Sequence, residues 1–381
     1  GVRHRGRHMN LDFGPELRQF QAEVRAFLED FAGTDGFFHH EGEHDRATLE
    51  LYSALGARNW LALAWPRDVG GEGKHPLFEY VLWNEMARAR AARPPLGSGI
   101  VAKTIIAAGT EDQKRRFLPG LRTADITFAL GYSEPEAGSD LTGLRTRAVR
   151  DGDEYVVTGE KRWTSGGHRA DYIWLLCRTG TQESRGRGLT ILIVDRTSPG
   201  ISIGPITAVS GERFNEVFFD GVRVPVANRV GEENRGWELI SESLATERHV
   251  QFSPARVEQD FEDLVAWLSG QGLADDPVVR DKLTDVAVRV AEVEALALAM
   301  CEAVQNGRNP VVEAAANKLA GSEACQEVAR VAGDLGVPAS LVVGSSIEYL
   351  WRQSICETIG GGTSEIMRSV IAGQGLGLPI R

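Results

Sequence analysis

Three short stretches of the sequence combine residue types that could hold a flat polar ligand. The first, IGGGTSEI at residues 359–366, places three consecutive glycines before two hydroxyl residues and an acid. Glycines let backbone amides approach a ligand closely, and the N-terminus of a helix attracts phosphate and other polar groups. The stretch therefore predicts a cofactor loop at the start of a helix. Because glycine has no side chain, another residue has to move any proton.

The other two stretches lie in the middle of the chain. GYSEPEAGSD, at residues 131–140, is rich in small residues, so its backbone amides together with Ser133 and Ser139 could line a planar polar ligand. In GEKRWTSGG, Trp163 stands two residues before Ser165, a spacing that puts both side chains on one face if the segment is a strand. The pair predicts a stacking surface beside a hydrogen-bond donor.

The spacing of apolar residues predicts helices at both ends of the chain and strands between them. Apolar residues recur every three or four positions in ELRQFQAEVRAFLEDF near the N-terminus and over residues 279–300 near the C-terminus. Short runs rich in β-branched and aromatic residues come between them, namely YVVTG, YIWLLC, LTILIVD and EVFFDGVRVP. Turn signals separate these runs: Asp-Gly at 151–152, Ser-Pro-Gly at 198–200 and Asp-Gly at 220–221.

These patterns predict an α+β multidomain chain. We expect an N-terminal α-helical domain over 9–127, a central antiparallel β domain over 128–235 and a C-terminal helical bundle over 236–381. The first eight residues, GVRHRGRH, precede Met9 and resemble the remnant of an expression tag, so we set them aside.

Composition argues against several classes of function. The net charge is −11, which makes the chain a poor candidate for binding nucleic acid or an anionic membrane. No run approaches the about 18 consecutive apolar residues that a membrane span needs. We therefore expect a cytoplasmic protein that binds neither. The cysteines match no metal-ligand spacing and are expected to be reduced and structural: Cys177, Cys301, Cys325 and Cys356.

One zinc-like motif is discounted. HEGEH, at residues 40–44, matches H-E-x-x-H, in which two histidines one helical turn apart bind zinc. That motif needs a rigid helix, whereas Gly36 precedes the segment, Gly42 lies inside it, and nothing downstream suggests a third ligand. We interpret it as a solvated polar turn and expect no metal site.

With GGGTSEIMR at 360–368 and the order of helices, strands and helices, these stretches resemble the acyl-CoA dehydrogenase family from Leu11 to Leu378. The resemblance implies that family's fold, with a C-terminal four-helix bundle, and FAD bound between the β domain and the bundle with an acyl thioester lying on the flavin. NRVGEENRGW at 228–237, together with TERH and GGGT, is most similar to actinobacterial enzymes of sterol side-chain degradation.

The resemblance assigns cofactor contacts to GYSEPEAGSD. Tyr132 and Ser133 would meet the pyrimidine edge of the flavin, largely through backbone groups. Gly138 and Ser139 would approach the pyrophosphate and ribityl parts. Ser139 is also expected to contact the substrate.

It assigns further cofactor contacts to the other two stretches. Trp163 would cover one flavin face and Ser165 would hydrogen-bond near N5. Thr363 and Glu365 would contact the cofactor beside the closing helix. Each has a structural alternative, since Trp163 could belong to the sheet core and Thr363 could merely cap a helix.

The resemblance also identifies a base. The family's reaction removes an α-proton while the β-hydrogen leaves as hydride, so a carboxylate must stand over the α-carbon. Many members carry it in the loop where this chain has Gly361, which can only donate its N–H to the thioester carbonyl. A minority carry it in a Glu-Arg pair after the β domain, which LATERHV matches with Glu247 and Arg248. Glu247 is the expected base and Arg248 a substrate contact; the alternative is two ordinary surface charges.

Two features of homotetrameric relatives are missing. Residues 257–283 lack an Arg-x-x-Phe-Gly motif, and GDLGVPASL at 333–341 stands where a glutamine precedes paired glycines. The FAD phosphates are therefore expected to be held differently. Some sterol relatives form α2β2 heterotetramers in which one subunit type carries the base, and Glu247 indicates that type.

The expected reaction converts an acyl-CoA to its trans-2-enoyl thioester, with a branched or steroid side-chain acyl group and an electron-transfer flavoprotein as acceptor. A carrier-protein thioester is an alternative substrate, and we expect a homo- or hetero-oligomer, a dimer of dimers. Two other functions stay open: a flavin monooxygenase or oxidase of the same fold, and a non-catalytic subunit of a heteromeric dehydrogenase.

Overall fold

The computed structural model describes residues 14–31, 41–241, 243, 252–336 and 342–379, without the side chains of 30, 41–46 and 346. The predicted tag remnant lies outside these ranges. The described residues form two compact units. The helical unit falls within Gly1–Asp35, Pro76–Ala91 and Arg248–Arg381, and the sheet unit within Gly36–His75 and Ala92–Glu247. Residues 9–127 thus contribute to both units, and the three domain bounds stay predictions.

The helices lie on both sides of the strands in the sequence, as predicted. They are α1 (Gly14–Phe31), α2 (Glu41–Ala57), α3 (Leu77–Arg88), α4 (Ala102–Ala108), α5 (Glu111–Thr123), α6 (Pro254–Gly270), α7 (Pro277–Gln305), α8 (Val311–Leu335), α9 (Ser346–Glu357) and α10 (Ser364–Val370). The strands are β1 (Phe128–Gly131), β2 (Arg147–Asp151), β3 (Glu154–Lys161), β4 (Tyr172–Arg178), β5 (Leu189–Asp195), β6 (Ile201–Thr207), β7 (Arg213–Pro225) and β8 (Arg229–Val230).

The strands form one eight-stranded, mostly antiparallel sheet in the order β6-β7-β3-β2-β4-β5-β8, with β1 beside β4. The predicted runs YVVTG, YIWLLC, LTILIVD and EVFFDGVRVP fall in β3, β4, β5 and β7. The sheet is not wholly antiparallel, because β1 pairs with β4 in parallel and β2 meets β4 in parallel at Arg147 and Arg178. The fold class is confirmed with that refinement.

One predicted turn is wrong. The Asp-Gly pair at 220–221 lies inside β7, where the register shifts from Val157 opposite Val222 to Gly159 opposite Phe219. Gly221 has φ 62°, a left-handed conformation that glycine adopts without a steric penalty. The pair is therefore a β-bulge within a continuous strand, because one glycine absorbs the extra residue without reversing the chain.

The C-terminal bundle is built as the apolar stripe predicts. α6, α7, α8 and α9 pack around one core, and most of the stripe of α7 is buried there, including Val286, Val293 and Met300. Asp276 begins α7 by accepting hydrogen bonds from the N–H groups of Val278 and Val279, which satisfies two of its first-turn donors.

The HEGEH segment is not a turn. Its residues Glu41 to His44 open the helix α2, so the interpretation as a polar turn is wrong for that part, and His40 lies outside the described residues. Glycine lowers helix propensity by only about 1 kcal/mol, which the rest of a 17-residue helix outweighs. Within the ranges described, no group of three or more histidine, cysteine, aspartate or glutamate residues could hold a metal ion.

Two further expectations concern the whole chain. Cys177 and Cys301 are buried free thiols, and Cys325 and Cys356 are half-buried free thiols. A search of the described residues finds no helix with the length and apolar character required to cross a membrane.

A buried ion pair fixes the loop that carries GYSEPEAGSD. The Nζ of Lys161, at the end of β3, lies 2.8 Å from Oε1 of Glu134, and the lysine is 0% exposed. Glu134 also accepts the N–H groups of Arg145 and Thr146, and Lys161 also donates to the carbonyl of Tyr132. Every polar atom of the pair thus serves to tie the loop to the sheet.

The pKa values of the pair follow from this geometry. Burial by itself would raise the pKa of Glu134, but the charge of Lys161 and the hydrogen bonds to the carboxylate outweigh burial, so the pKa is lowered. Burial lowers the pKa of Lys161, and the charge of Glu134 opposes that shift. The carboxylate is therefore ionised in the folded protein.

We predict that Glu134→Gln destabilises the sheet unit by about 3 kcal/mol, because it leaves the Lys161 amine buried without its counter-charge. Asp140→Asn is the matched control, since Asp140 pairs with Arg185 in the same region but both side chains are more than half exposed. That change should cost under about 1 kcal/mol. Urea denaturation of the purified proteins checks both values, and equal losses would contradict the anchoring role.

The same pair predicts a pH dependence. Because the folded pKa of Glu134 lies below its ordinary value of 4.5, its contribution is fully present above that pH and is lost as the pH falls through the folded pKa. The stability difference between the unaltered protein and Glu134→Gln should therefore shrink below pH 4.5. Urea midpoints of both proteins from pH 7 to pH 3 measure it, and a constant difference would be the contrary result.

Candidate functional site

The GYSEPEAGSD loop is held at its base and exposed at its tip. Glu134 and Ala137 exchange backbone hydrogen bonds of 3.0 and 3.2 Å, which close a tight turn. Beyond it Gly138 and Ser139 are exposed, and their N–H groups have no partner in the part of the chain that the structure describes. A Cβ added to Gly138 would meet nothing within 4 Å. The tip thus offers free donors beside open space.

Trp163 lies outside the strands, contrary to the prediction. β3 ends at Lys161, and Trp163 has φ 61°, a left-handed conformation that is unusual for a bulky residue. Period-two spacing therefore does not relate Trp163 to Ser165, which is exposed in the following turn. The strand prediction failed because backbone hydrogen bonds of Arg162 and Thr164, and not strand pairing, fix this segment.

The backbone on both sides of Trp163 is tied down. The N–H of Arg162 donates to the carbonyl of Ser133 at 2.8 Å, and the N–H of Thr164 donates to the carbonyl of Asn215 at 3.0 Å. The Trp163 side chain is 52% exposed and meets Phe214 edge to face at 5.9 Å. It is thus not sheet core, and its strained conformation presents an aromatic face to the surface.

Sequence reasoning missed the residues that support this surface. Asn215 is fully buried in β7, and its Nδ2 donates to the carbonyl of Thr164 at 2.9 Å. Glu134 and Lys161 fix the neighbouring loop. Polar residues inside apolar strands were the available signal, because such residues are buried only when they are hydrogen-bonded.

In the helical unit, the glycine stretch precedes a short helix, as predicted. Gly361 and Gly362 have φ 68° and 102°, both left-handed. The N–H groups of Gly361, Gly362 and Thr363 have no hydrogen-bond partner among the residues described. The loop therefore presents three consecutive free donors.

Thr363 does cap α10, which was the structural alternative for this residue. Its Oγ1 accepts the N–H of Ile366 at 3.3 Å. The pKa of the exposed Glu365 is lowered by its own backbone N–H and by the Thr363 side chain. Ser364 is only 6% exposed, and its Oγ has no partner within the described chain. These residues line a cleft of about 590 Å³ together with Arg289, Arg330 and Arg368.

A side chain at position 361 would meet the ring of Phe252. A Cβ added to Gly361 would lie 2.7 Å from Cζ of Phe252 and 3.1 Å from Cε2, closer than carbon atoms approach without displacement. The left-handed φ adds strain to any substitution there. A side chain at 361 would therefore have to displace the ring of Phe252 and strain the backbone.

Most of the predicted site residues lie in two clusters, one in the sheet unit and one in the helical unit. The sheet unit brings Tyr132 and Ser133 next to Trp163 through the bond from Arg162 to Ser133. The helical unit brings together Gly361, Thr363 and Glu365. Glu247 and Arg248, the predicted base and substrate contact, lie outside the described residues. The segment 257–283, which lacks the Arg-x-x-Phe-Gly motif, forms α6 and the start of α7.

The observed groups fit a flavin dinucleotide. An isoalloxazine ring needs an aromatic or apolar surface for its face and donors for its edge. The sheet unit supplies an exposed Trp163 and, on the loop that Ser133 ties to the same segment, the free N–H groups of Gly138 and Ser139. The hydroxyl of Thr164, only 1% exposed, also has no partner in the described residues. A buried polar atom without a protein partner is satisfied by water or by a ligand, so this hydroxyl is available to a bound molecule.

Comparisons with known proteins agree with this geometry. Residues 14–125, 129–222 and 234–376 match the family models for the acyl-CoA dehydrogenase N-terminal, middle and C-terminal domains. Acyl-CoA dehydrogenase FadE29 of Mycobacterium tuberculosis is 37% identical over 389 residues, which cover 97% of this chain and 99% of the relative. FadE26 of the same organism is 36% identical over 97% of this chain and 99% of its own length.

Solved structures show the same similarity. The Tcur3481-Tcur3483 steroid ACAD has a TM-score of 0.87 at 36% identity, covering 98% of this chain and 100% of that chain. The ChsE4-ChsE5 complex from Mycobacterium tuberculosis has a TM-score of 0.87 at 34% identity, with the same coverage. From its three family domains and its full-length relatives, the chain belongs to the acyl-CoA dehydrogenase family of oxidoreductases, whose members are flavoproteins.

Proposed function

We propose that the protein is an FAD-dependent acyl-CoA dehydrogenase that converts an acyl-CoA to the trans-2-enoyl thioester. The observation that carries this proposal is the glycine loop, which offers free N–H groups and carries no side chain at position 361, where the ring of Phe252 packs. A loop of this kind can bind the thioester carbonyl and stabilise negative charge on its oxygen. It cannot supply the base, so the carboxylate has to come from another segment.

Glu247 is the residue proposed to remove the α-proton. It precedes Phe252 by five residues, and Phe252 packs where a side chain at 361 would begin. The support for Glu247 is the sequence, because it lies in LATERHV, the Glu-Arg pair that follows the β domain. An apolar acyl chain around the carboxylate would raise its pKa and make it a stronger base.

FAD, when bound, would accept the hydride that leaves the β-carbon. Trp163 would stack on one face of the ring, and Tyr132, Ser133, Gly138, Ser139 and Ser165 would contact its edge and chain in the sheet unit. Thr363 and Glu365 would contact the cofactor in the helical unit. The free donors and the exposed aromatic side chain described above support these assignments. Ser139 and Arg248 are proposed to contact the substrate.

The acyl group proposed here is a steroid side chain carried on CoA. The support is the similarity to the Tcur3481-Tcur3483 steroid ACAD over nearly the whole chain. We further propose assembly as a dimer of dimers with a homologous subunit, because two of the similar solved structures contain paired chains, Tcur3481 with Tcur3483 and ChsE4 with ChsE5. An electron-transfer flavoprotein in the cytoplasm would reoxidise the flavin.

We predict that Glu247→Gln retains FAD but slows reduction of the flavin by about 10³-fold, because the amide cannot accept the α-proton. The measurement is an anaerobic titration of the FAD-loaded protein with short, long, branched and steroid CoA esters, followed by the loss of flavin absorbance. Glu238→Gln is the control, since the Glu238 side chain is exposed and pairs only with Arg235 among the described residues.

The same titration separates the alternatives. An active Glu247→Gln variant would refute the assignment of the base. Rapid reoxidation of the reduced flavin in air would favour an oxidase or monooxygenase. A non-catalytic subunit would show no flavin absorbance and no loss on Glu247→Gln in the assembled complex. Reduction by short linear esters but not by steroid esters would contradict the substrate class alone.

We predict that Trp163→Ala lowers FAD occupancy at least several-fold, because it removes a stacking surface worth about 1 kcal/mol or more. Trp351→Ala is a matched control, since Trp351 is an equally exposed tryptophan, at 51% against 52%, in α9 of the helical unit. The ratio of flavin absorbance to protein absorbance after gel filtration measures occupancy. Equal occupancy in both variants would argue against stacking on Trp163.

A further inference from the structure

A fully buried lysine of α8 reaches the glycine loop. Lys318 is 0% exposed, and its Nζ donates to the carbonyl oxygen of Gly362 at 2.6 Å. Burying an amine is costly unless it is hydrogen-bonded, so this contact has to be made for the helix to pack with a lysine at that position. The lysine was not among the residues that the sequence motifs indicate.

The bond to Gly362 determines where the next donor points. In a trans peptide the C=O and the following N–H point in opposite directions. With its carbonyl directed to Lys318, the Gly362–Thr363 peptide directs the N–H of Thr363 away from α8. A hydrogen bond to the carbonyl also polarises the peptide and strengthens that N–H as a donor. The N–H of Thr363 has no partner in the described residues, so it is available to a ligand.

The residue before Lys318 holds the other side of the same contact. Nδ2 of Asn317, which is 1% exposed, donates to the carbonyl of Phe252 at 2.9 Å. The Lys318 Nζ lies 5.6 Å from the centre of the Phe252 ring, the ring that occupies the space beside Gly361. Two consecutive residues of one helix thus fix both Phe252 and the glycine loop.

We propose that Asn317 and Lys318 are positioning residues of the glycine loop: Lys318 directs the N–H of Thr363 toward the cofactor, and Asn317, through Phe252, keeps the N–H of Gly361 toward the thioester. The pair forms a clamp, in which Lys318 orients the Gly362–Thr363 peptide and Asn317 holds the backbone of Phe252, whose ring lies beside Gly361. The inference takes its ligand from the function proposed above. The contacts that form the clamp are observed independently of that function.

The test uses the FAD-loaded protein with Lys318→Met, Asn317→Ala and the control Lys282→Met. Methionine keeps the length of lysine but removes the donor. Lys282 lies on α7 and bonds Asp334 of α8 at the surface, so its loss removes a lysine from the same bundle without touching the loop. Two quantities are measured: kcat and KM per bound flavin with the best CoA ester of the panel, and amide hydrogen exchange over residues 359–366.

Lys318→Met should lower kcat per bound flavin on the order of 10- to 100-fold, because displacing a catalytic contact by about 1 Å costs up to about 10²-fold. KM should stay within about threefold, since a contact made mainly in the transition state changes kcat and kcat/KM alike. Exchange over 359–366 should become faster. Asn317→Ala should show the same pattern with a smaller change, and Lys282→Met should show neither.

The remaining outcomes contradict either the clamp or the proposed function, and the two cases can be distinguished. Activity that falls only in proportion to bound flavin would make Lys318 a structural residue and overturn the proposal. If Lys318→Met does not fold, Asn317→Ala decides by the same two measurements. If no CoA ester reduces the unaltered protein, the proposed function fails, and the clamp is judged by exchange: unchanged exchange in both variants refutes it.

Discussion

The ring of Phe252 stands where a side chain at position 361 would begin, and this contact constrains the chemistry of the loop around it. A Cβ there would lie 2.7 Å from the ring, so a larger residue at 361 would have to displace Phe252 and adopt a left-handed backbone that costs about 1–2 kcal/mol. The loop can therefore contribute backbone N–H groups but no carboxylate. A dehydrogenation at the α- and β-carbons needs both a donor for the carbonyl and a base for the proton. In the function proposed here, the glycine loop supplies the first, and a separate segment has to supply the second.

The proposed ligand contacts of the sheet unit, like those of the glycine loop, are made mainly by backbone groups. Its predicted ligand contacts are again backbone groups and one aromatic ring, at positions 131–140 and around Trp163. Such groups have no long side chain that could adjust to the ligand, so the backbone itself has to be placed accurately. The Glu134–Lys161 pair, Asn215 and the bond from Arg162 to Ser133 do this. The desolvation cost of the pair is offset by the several hydrogen bonds that satisfy it.

The sequence predicted most of the architecture because its main elements carry clear periodicities. The apolar stripe of α7 predicted the bundle, and the short runs rich in β-branched and aromatic residues in β3, β4, β5 and β7 predicted the sheet. The errors came where one residue changed the local backbone. Gly221 turned an expected loop into a bulge, and a left-handed Trp163 broke the expected strand. The HEGEH segment was helical in spite of its glycine, because the rest of α2 outweighs one unfavourable residue.

The supporting residues could not be predicted, because their partners are distant in sequence. Lys161 meets Glu134 across 27 positions, and Lys318 meets Gly362 across 44. Both lysines are 0% exposed, and each donates to a loop carbonyl next to a residue with a predicted ligand contact, at Tyr132 and at Gly362. A lysine is one of the few side chains long enough to reach a loop from inside a packed element and still offer a donor at its end. Drawing the carbonyl inward leaves the adjoining N–H groups to face outward, which is the orientation that a polar ligand requires. Each buried lysine thus bonds the carbonyl of a loop peptide, at Tyr132 and at Gly362. The N–H of the same peptide then points away from the lysine and stays available for the proposed ligand.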